Sequence, residues 1–390
     1  MRPAKLWNKR FVQLVLIESL FQFGAYLTNP IVSGYAVALG STLAVGGILA
    51  GLSASMALAA RPLTGWLADR IAKKSFLVIA AVLFCISAFG CAFSTSAVLI
   101  GVFRIIAGFA FAFRSAAVIA LVSLSVPTDR LGTAVGWTGI AQTVSCALGP
   151  IAGAMLMGVA SYWASFVAAG VLFAAGLLLC LAFREPEGAQ GIRPSRKASR
   201  GSLRLSGFFY GPNARIALVA GLSIVPHGVA ITFILMAGEM RGIAGASIYF
   251  GVYAVTALVA KPLAGRLTDA LDTRCVVIPA FLIEIAATVL LACMVSLPWV
   301  LVAACCMGLG QASAYSALQA EAVRGVPVHE LGRASNTFYV GTDAGMGFGP
   351  MLAGAVLQIA GITAMFLLAG MLVLVALVIL LMYHSSIPKG

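Results

Sequence analysis

Charged residues are scarce in this chain. They make up 9% of its 390 residues, whereas a soluble domain usually carries about 25%. Apolar residues account for 61%, and apolar runs long enough for a membrane-spanning helix recur from Phe11 almost to the C-terminus. This composition excludes an ordinary soluble protein. Because the runs lack the alternation of barrel strands, the sequence predicts an all-α membrane protein.

Residues that build metal or redox centres are also few or badly placed for that role. The chain has three histidines, and its eight cysteines lie inside apolar runs without metal-type spacing, so we assign the cysteines to packing. The sequence lacks a nucleophile elbow and a phosphate-binding loop. These absences predict that the protein is not an enzyme and that it uses no cofactor and no metal.

Glycine, proline and charged clusters divide the apolar sequence into twelve predicted transmembrane helices, arranged as two pseudo-symmetric six-helix bundles. The helices cover residues 11–38, 42–68, 76–94, 97–123, 131–158, 161–183, 211–237, 244–268, 275–294, 298–322, 332–360 and 363–384. The predicted domains are an N-terminal bundle at 1–183, a cytoplasmic linker at 184–210 and a C-terminal bundle at 211–390.

The net charge of +13 follows the predicted topology. Of the 25 Lys and Arg residues, 20 lie at the termini or in alternate loops with their adjoining helix ends, and the opposite loops hold only Arg241. By the positive-inside rule, both termini are predicted to be cytoplasmic. The charge therefore gives no reason to expect a nucleic-acid partner.

The basic linker is either a solvated connector or a contact with membrane lipids.

An internal repeat supports the division into two halves. Segment 61–69 recurs at 261–269, and the same shift of 200 residues relates three later motifs. These are Val126-Pro127 with Val326-Pro327, Leu131-Gly132 with Leu331-Gly332, and Gly149-Pro150 with Gly349-Pro350. Six helices separate the copies, so the two halves are predicted to share one membrane orientation, related by an axis along the membrane normal.

Three motifs resemble those of the major facilitator superfamily, and the resemblance covers essentially the whole chain. The first, between helices 2 and 3, comprises Gly65, Asp69, Arg70, Lys73 and Lys74, with a second copy that keeps Gly265 and Asp269. The second is Arg104 with Gly108 in helix 4. The third centres on Gly149 and Pro150 in helix 5 and is echoed in helix 11 by Gly349 and Pro350. The resemblance implies a twelve-helix secondary transporter.

The resemblance also implies roles for these motifs. The charges of the first motif, Asp69 above all, latch one conformation by pairing with the opposite half, or else serve only as topology charges. The third motif is typical of exporters and favours drug-like efflux by proton antiport, or else it is a structural kink at Pro150. Its small residues predict close packing of helix 5 against a neighbour.

Ionisable residues inside predicted spans are functional candidates, because each costs at least about 2.5 to 3.5 kcal/mol on insertion scales. Glu18 shares one face of helix 1 with Gln22 and Asn29, and Arg114 lies in helix 4 at a comparable depth. In the superfamily fold, helices 1 and 4 line the central cavity. We therefore predict an ion pair between Glu18 and Arg114, which either couples protons to transport or is a structural bridge. The predicted solute-binding residues here are Glu18, Gln22, Asn29 and Arg114.

Two further acids lie in the C-terminal half. Asp343 in helix 11 either carries a proton, as a second coupling residue, or neutralises Arg61 or Lys261. Glu284 in helix 9 either faces the packing between helices or is protonated, and the sequence does not place it.

Polar residues of the C-terminal half are candidates for hydrogen bonds to a solute. Gln311, Tyr315 and Gln319 form a stripe on helix 10 with a spacing of four residues. His227 follows Pro226 in helix 7 and is either a ligand or proton relay, or a packed histidine.

Together these features predict a transporter that exports a small organic solute by proton antiport through alternating access, with the solute near the midplane between the bundles. Protonation of Glu18 would depend on whether Arg114 is engaged elsewhere, for example by the solute. The predicted partners are a small-molecule solute, protons and membrane lipids, and the protein is predicted to be a monomer in the bacterial cytoplasmic membrane. The alternatives are a proton-coupled importer and a non-transporting membrane sensor.

Overall fold

The computed structural model describes residues 7–68, 71–126, 131–185, 209–327 and 330–382. These residues are almost entirely helical, and no strand occurs among them. The chain divides into two compact units, Met1–Leu205 (unit 1) and Ser206–Gly390 (unit 2). Most of the predicted linker, residues 186–208, lies outside the described residues, so the predicted domain boundaries stay a prediction.

Unit 1 begins with a long helix that is interrupted at Asn29-Pro30. Proline lacks the amide hydrogen that a continuous helix needs, and a single 3₁₀ turn follows α1 at this point. The helices of unit 1 are α1 (Lys9–Thr28), α2 (Val32–Ala38), α3 (Leu43–Ala68), α4 (Lys73–Ala92), α5 (Ala97–Ser125), α6 (Leu131–Ala160) and α7 (Tyr162–Ala182). Its core is rich in phenylalanine, with Phe11, Phe21, Phe76 and Phe183 fully buried.

Unit 2 is built in the same way, with a break at Ile224 just before Pro226. Its helices are α8 (Ala214–Ser223), α9 (Val225–Met240), α10 (Ile248–Ala270), α11 (Thr273–Ala292), α12 (Leu297–Val323) and α13 (Leu331–Met382). A 3₁₀ turn, Gly211–Asn213, precedes α8. The core contains the fully buried Phe281 and Phe338.

The 200-residue repeat is visible in the helices themselves. The bounds of α4 and α11 differ by that shift at both ends, and α5 and α12 begin at positions related by it. A Cβ atom at Gly108 of α5 would lie 2.6 Å from the carbonyl oxygen of Ser53 in α3, and one at Gly308 would lie 2.7 Å from that of Tyr253 in α10. Because both backbone contacts need glycine, each unit packs these two helices in the same register.

The predicted count of twelve helices is not reproduced. Among the described residues, eleven helical stretches are long and apolar enough to cross a membrane. The difference arises because the predicted helices 332–360 and 363–384 form one run, Leu331–Met382, interrupted only at Gly361. With φ of 79°, a conformation that glycine adopts at little cost, this residue breaks the helix without an intervening loop.

Candidate functional site

A buried ion pair joins α1 to α5 in unit 1. The Arg114 guanidinium donates from Nη1 to Oε1 of Glu18, which confirms the predicted pair. Both residues are 5% exposed. Gln22, one turn further along α1, donates from Nε2 to the same Glu18 oxygen over 2.9 Å. Three of the predicted solute-binding residues therefore form one hydrogen-bonded cluster, which we call the Glu18 cluster.

The second carboxylate oxygen of Glu18 is in a different situation. Oε2 is buried and has no hydrogen-bond partner among the described residues. A carboxylate has about four acceptor positions, so an oxygen with none of them used can take a proton or a donor from a bound molecule. The Glu18 cluster therefore has one buried acceptor oxygen, Oε2 of Glu18, to which no described residue donates.

Aromatic packing holds the cation of this cluster. The guanidinium of Arg114 lies over the ring of Phe111, three residues earlier on α5, at 4.7 Å from the ring centroid. A cation above an aromatic face gains about 0.5 to 2 kcal/mol, more where water is excluded. The arginine therefore has a favourable position even when Glu18 is neutral.

The outer end of the predicted polar face, Asn29, belongs to a separate group of contacts. Its Oδ1 accepts a hydrogen bond of 2.9 Å from Nη1 of Arg104, the arginine of the second family-like motif. Arg104 also donates to the carbonyl oxygens of Leu49 and Ala50 and to the hydroxyl of Ser53 in α3. The predicted set on α1 is thus divided between two arginines, and Asn29 does not contact the Glu18 cluster.

Unit 2 has a buried polar cluster without a charged pair. The ring of His227 in α9 stacks on Tyr253 in α10, with 4.6 Å between centroids, and the Tyr253 hydroxyl donates to Oε1 of Gln311 in α12 over 2.7 Å. Nδ1 of His227 is buried and has no hydrogen-bond partner among the described residues. The structure brings the predicted residues His227 and Gln311 to the same tyrosine. Tyr253 is the residue that links these two predicted candidates.

The rest of the predicted stripe on α12 has other neighbours. Gln319 donates to the Tyr339 hydroxyl in α13 over 2.8 Å, and Tyr315 packs edge-to-face on Phe338. Asp343, the second predicted coupling residue, is half-buried in α13. These contacts place the stripe against α13, and the roles predicted for these residues stay predictions.

The motif residues are described only in part. Asp69 and Arg70 lie outside the described residues, so the predicted latch is not tested. Lys74 donates from Nζ to the carbonyl oxygen of Leu181 over 2.8 Å, and its backbone amide donates to the Glu185 carboxylate. Lys73 is partly buried at the start of α4, Gly65 is in α3, Gly265 is in α10, and Asp269 is exposed near the end of α10.

The predicted close packing of the third motif is present in both units. A Cβ at Gly149 in α6 would lie 2.8 Å from Cβ of Tyr26 in α1, and one at Gly349 in α13 would lie 2.9 Å from Val225 in α9. Pro150 and Pro350 both lie inside their helices. Each unit therefore has one helix whose backbone approaches its neighbour through the repeated glycine.

Glu284 is the acid that the sequence does not place. It is 0% exposed in α11, and neither carboxyl oxygen has a hydrogen-bond partner among the described residues. Its backbone faces Gly310 of α12, where an added Cβ would lie 2.7 Å from the Glu284 nitrogen. An almost wholly apolar helix gives no periodic signal for the side that faces the core, which explains why the sequence left this residue open.

Comparison with known proteins identifies the family of this chain. A sequence model described as Major Facilitator Superfamily matches residues 14–251 and 216–389. The chain belongs to this superfamily. It is therefore an integral membrane transporter. It is 24% identical over 386 residues to the uncharacterized MFS-type transporter YhhS of Escherichia coli (strain K12), covering 95% of this chain and 92% of that protein.

Solved structures of other superfamily members have the same fold. A POT family transporter in complex with 5-aminolevulinic acid is similar with a TM-score of 0.79 and 14% identity, covering 95% of each chain. The nucleoside transporter NupG is similar with a TM-score of 0.76 and 17% identity, covering 96% of this chain and 100% of NupG. At such identities the likeness concerns the fold alone.

Proposed function

We propose that the protein exports a small organic solute by proton antiport, with Glu18 as the residue that exchanges proton for solute. The observation that carries this proposal is the asymmetry of the Glu18 carboxylate. Oε1 accepts from Arg114 and Gln22, whereas the buried Oε2 has no partner among the described residues. Oε2 is the place for either a proton or a donor group of the solute.

Antiport follows from competition for this one oxygen. A cationic or hydrogen-bond-donating group of the solute binds Oε2 when Glu18 is ionised, and it is released when a proton takes the same position. Because both occupants cannot be present together, each transport cycle exchanges one for the other. Inward movement of the proton is favoured, since one charge crossing about 100 mV is worth about 2.3 kcal/mol.

The second candidate function is a proton-coupled importer, and the pairing of Arg114 favours it for one class of solute. An anionic solute that takes Arg114 away from Glu18 would leave a buried carboxylate without a counter-ion. Protonation would then relieve the cost of that charge, so that solute and proton bind together. The charge of the solute thus decides between exchange and co-transport.

The polar groups of unit 2 complete the proposal. His227, Tyr253 and Gln311 offer hydrogen-bonding atoms without a net charge, and Tyr315 and Gln319 extend the same helix face. Asp343 remains the proposed second proton carrier. The structural neighbours include a transporter bound to 5-aminolevulinic acid and a nucleoside transporter, which is in keeping with a small organic solute.

For the topology, we propose that the last helical run crosses the membrane twice. Its apolar part, Arg333–Met382, has 50 residues, which at about 1.5 Å per residue is about 75 Å, more than twice the hydrocarbon thickness of about 30 Å. With the break at Gly361, the chain would have twelve crossings in two six-helix bundles. Both termini are then cytoplasmic in a bacterial cytoplasmic membrane, and transport proceeds by alternating access.

The direction of coupling is tested with purified protein in liposomes. We expect that an imposed pH gradient drives cationic or zwitterionic solutes against the direction of proton flow, and that an outward solute gradient drives protons inward. Flux of solute and proton in the same direction would establish the importer instead. A panel of cationic, zwitterionic and anionic solutes in the same liposomes identifies the solute class, and proton flux that no solute changes would contradict transport by this cluster.

A further inference from the structure

The guanidinium of Arg104 is buried but bonded only to neutral groups. It is 5% exposed in α5, and its hydrogen bonds go to the carbonyl oxygens of Leu49 (3.1 Å) and Ala50 (3.0 Å), Oδ1 of Asn29 (2.9 Å) and Oγ of Ser53 (2.6 Å). A guanidinium has five N–H groups, so one N–H, on Nη1, is not used in these bonds. The hydrogen-bonding capacity is nearly satisfied, but none of these four partners carries a negative charge.

No acidic side chain among the described residues of unit 1 contacts Arg104. Glu18 is bonded to Arg114 and precedes Asn29 by 11 residues, which is about 16 Å along a helix. Glu185 follows the end of α7, where it bonds to the amide of Lys74. The other acids of this half of the sequence, Asp69, Asp129 and Glu187, are outside the described residues.

A cavity adjoins this cation. It has a volume of about 50 Å³, and Arg104 lines it together with Asn29, Ser53 and Ser87. Four aromatic side chains also line it: Phe84, Phe111, Phe166 and Phe173. One water needs at least about 10 to 15 Å³, so the space is large enough for a few waters or one small ion.

The polar groups around the cavity are suited to donate hydrogen bonds. Oγ of Ser53 and Oδ1 of Asn29 both accept from Arg104, which leaves the Ser53 hydroxyl hydrogen and the Asn29 amide hydrogens outside those two bonds. Ser87 adds a third donor group from α4. Thr28 contributes less, because its hydroxyl donates to carbonyl oxygens within α1. A buried cation with surrounding N–H and O–H groups is the environment that an anion requires.

We propose that this cavity, at Arg104, binds a small monovalent anion such as chloride. The anion supplies a negative charge that no acidic side chain among the described residues of unit 1 gives to Arg104, and the burial of the guanidinium strengthens the attraction between the two ions. This inference goes beyond the proposed function, because Glu18, Gln22 and Arg114 do not line the cavity. In this proposal Arg104 has two roles: it binds the anion, and it forms hydrogen bonds between helices.

The direct test is binding of radiolabelled chloride to the purified full-length protein in detergent, at constant ionic strength with gluconate as the replacement anion. We expect saturable binding of one chloride per chain. Removing one hydrogen-bond donor by Ser87→Ala should weaken the affinity about ten- to a hundredfold, the usual effect of losing one hydrogen bond to a charged group. Arg104→Gln should abolish binding, but this variant also loses contacts to α3 and is informative only if it stays folded.

Ser55→Ala is the matched control. Ser55 is a buried serine of α3, two residues from Ser53, and it does not line the cavity. The Ser55→Ala protein should bind chloride with the affinity of the wild type. The proposal is overturned if the wild type shows no saturable binding, which would mean that the cavity holds only water. It is equally overturned if Ser87→Ala and Ser55→Ala bind chloride alike. Competition by acetate would extend the site to carboxylate groups, and a lack of competition would restrict it to halide-like ions; both results support an anion site.

Discussion

The two units repeat one helical scaffold but bury different ionisable groups in it. Unit 1 buries Arg104 in α5, where the repeat has Ala304 in unit 2, and unit 2 buries Glu284 in α11, where the repeat has Phe84 in unit 1. The glycine contacts and the helix bounds are retained through the same 200-residue shift. The scaffold therefore depends on the small and apolar positions that both halves share, whereas the buried ionisable groups differ between the halves.

The two buried glutamates, Glu18 in unit 1 and Glu284 in unit 2, differ in their hydrogen-bond partners. Glu18 has the guanidinium of Arg114 and the amide of Gln22 hydrogen-bonded to one of its oxygens. Glu284 has neither, and an ionised carboxylate without any partner would be far more costly to bury than the neutral acid. We therefore expect Glu18 to exchange protons during transport and Glu284 to stay neutral within the packed core.

The largest expected effect separates these two acids by their function. Glu18→Gln should reduce solute flux driven by an imposed pH gradient to the level of empty liposomes, because the amide cannot take up and release a proton. Glu284→Gln, the matched variant in the other unit, should leave that flux close to wild type. Undiminished flux in Glu18→Gln would remove the assignment, and loss of flux in Glu284→Gln would show that the second acid also takes part.

The next effect concerns the stability of unit 1. Arg114→Gln should lower the free energy of unfolding by about 3 to 5 kcal/mol, because it leaves the buried Glu18 carboxylate without its counter-ion. The double variant Glu18→Gln, Arg114→Gln should recover most of that loss, since neither charge remains. The measurement is reversible unfolding in mixed detergent micelles, analysed as a double-mutant cycle. Additive losses in the double variant would mean that the two side chains are not energetically coupled.

A second substitution at this position is expected to weaken solute binding. Arg114→Ala removes the cation from the Glu18 cluster, so a solute that needs the arranged carboxylate binds less well. Equilibrium binding of the solute found in the liposome panel measures this effect, with the folded fraction monitored by gel filtration. Wild-type affinity in a folded Arg114→Ala protein would exclude the arginine from the solute site.

A smaller effect is expected at the glycine that faces Glu284. In Gly310→Ala, the new methyl group would meet the carbonyl oxygen of Ala280 and the backbone nitrogen of Glu284, each at 2.7 Å. Overpacking of this kind typically costs about 1 to 3 kcal/mol. Gly139→Ala is the control, because nothing lies within 4 Å of its added Cβ and a helical alanine gains about 0.5 to 1 kcal/mol. Equal unfolding midpoints for the two variants would contradict the close contact between α11 and α12.

The smallest expected effect is an increase in the free energy of unfolding, not a decrease. Glu284→Met should raise the free energy of unfolding by about 1 kcal/mol, because an apolar side chain of similar length replaces a buried polar group that lacks hydrogen bonds. Glu18→Met should lower it, since Arg114 would lose its partner. Destabilisation by Glu284→Met as large as that by Glu18→Met would show that both acids have stabilising partners.

Much of the fold was predictable, because each apolar run is bounded by residues that end helices. Helix 4, predicted over 97–123, is observed as Ala97–Ser125, and helix 2, predicted over 42–68, as Leu43–Ala68. The ion pair was predictable for a related reason. A carboxylate and a guanidinium at similar depths have few other partners in an apolar helix bundle. The break at Gly361 was predicted as a short connection over residues 361–362, because glycine is typical of turns, and not as a single residue that interrupts one helical run.

The remaining contacts depend on which helices are neighbours and in what register. Nothing in the local sequence around Asn29 indicates that its amide oxygen accepts from Arg104 rather than joining Glu18. Likewise, the meeting of His227, Tyr253 and Gln311 involves three separate helices. Periodicity gives the face of one helix, but the partner across from it is fixed only when the helices pack.

The 200-residue repeat has a consequence for how such a chain could arise. Two identical copies associating as a symmetric dimer would have to bury the same groups twice, so an arginine at the position of Arg104 would always be accompanied by a second one. Joining both copies in a single polypeptide removes that constraint. Each half can then mutate alone, and a lone base in one and a lone acid in the other become possible within one inherited framework.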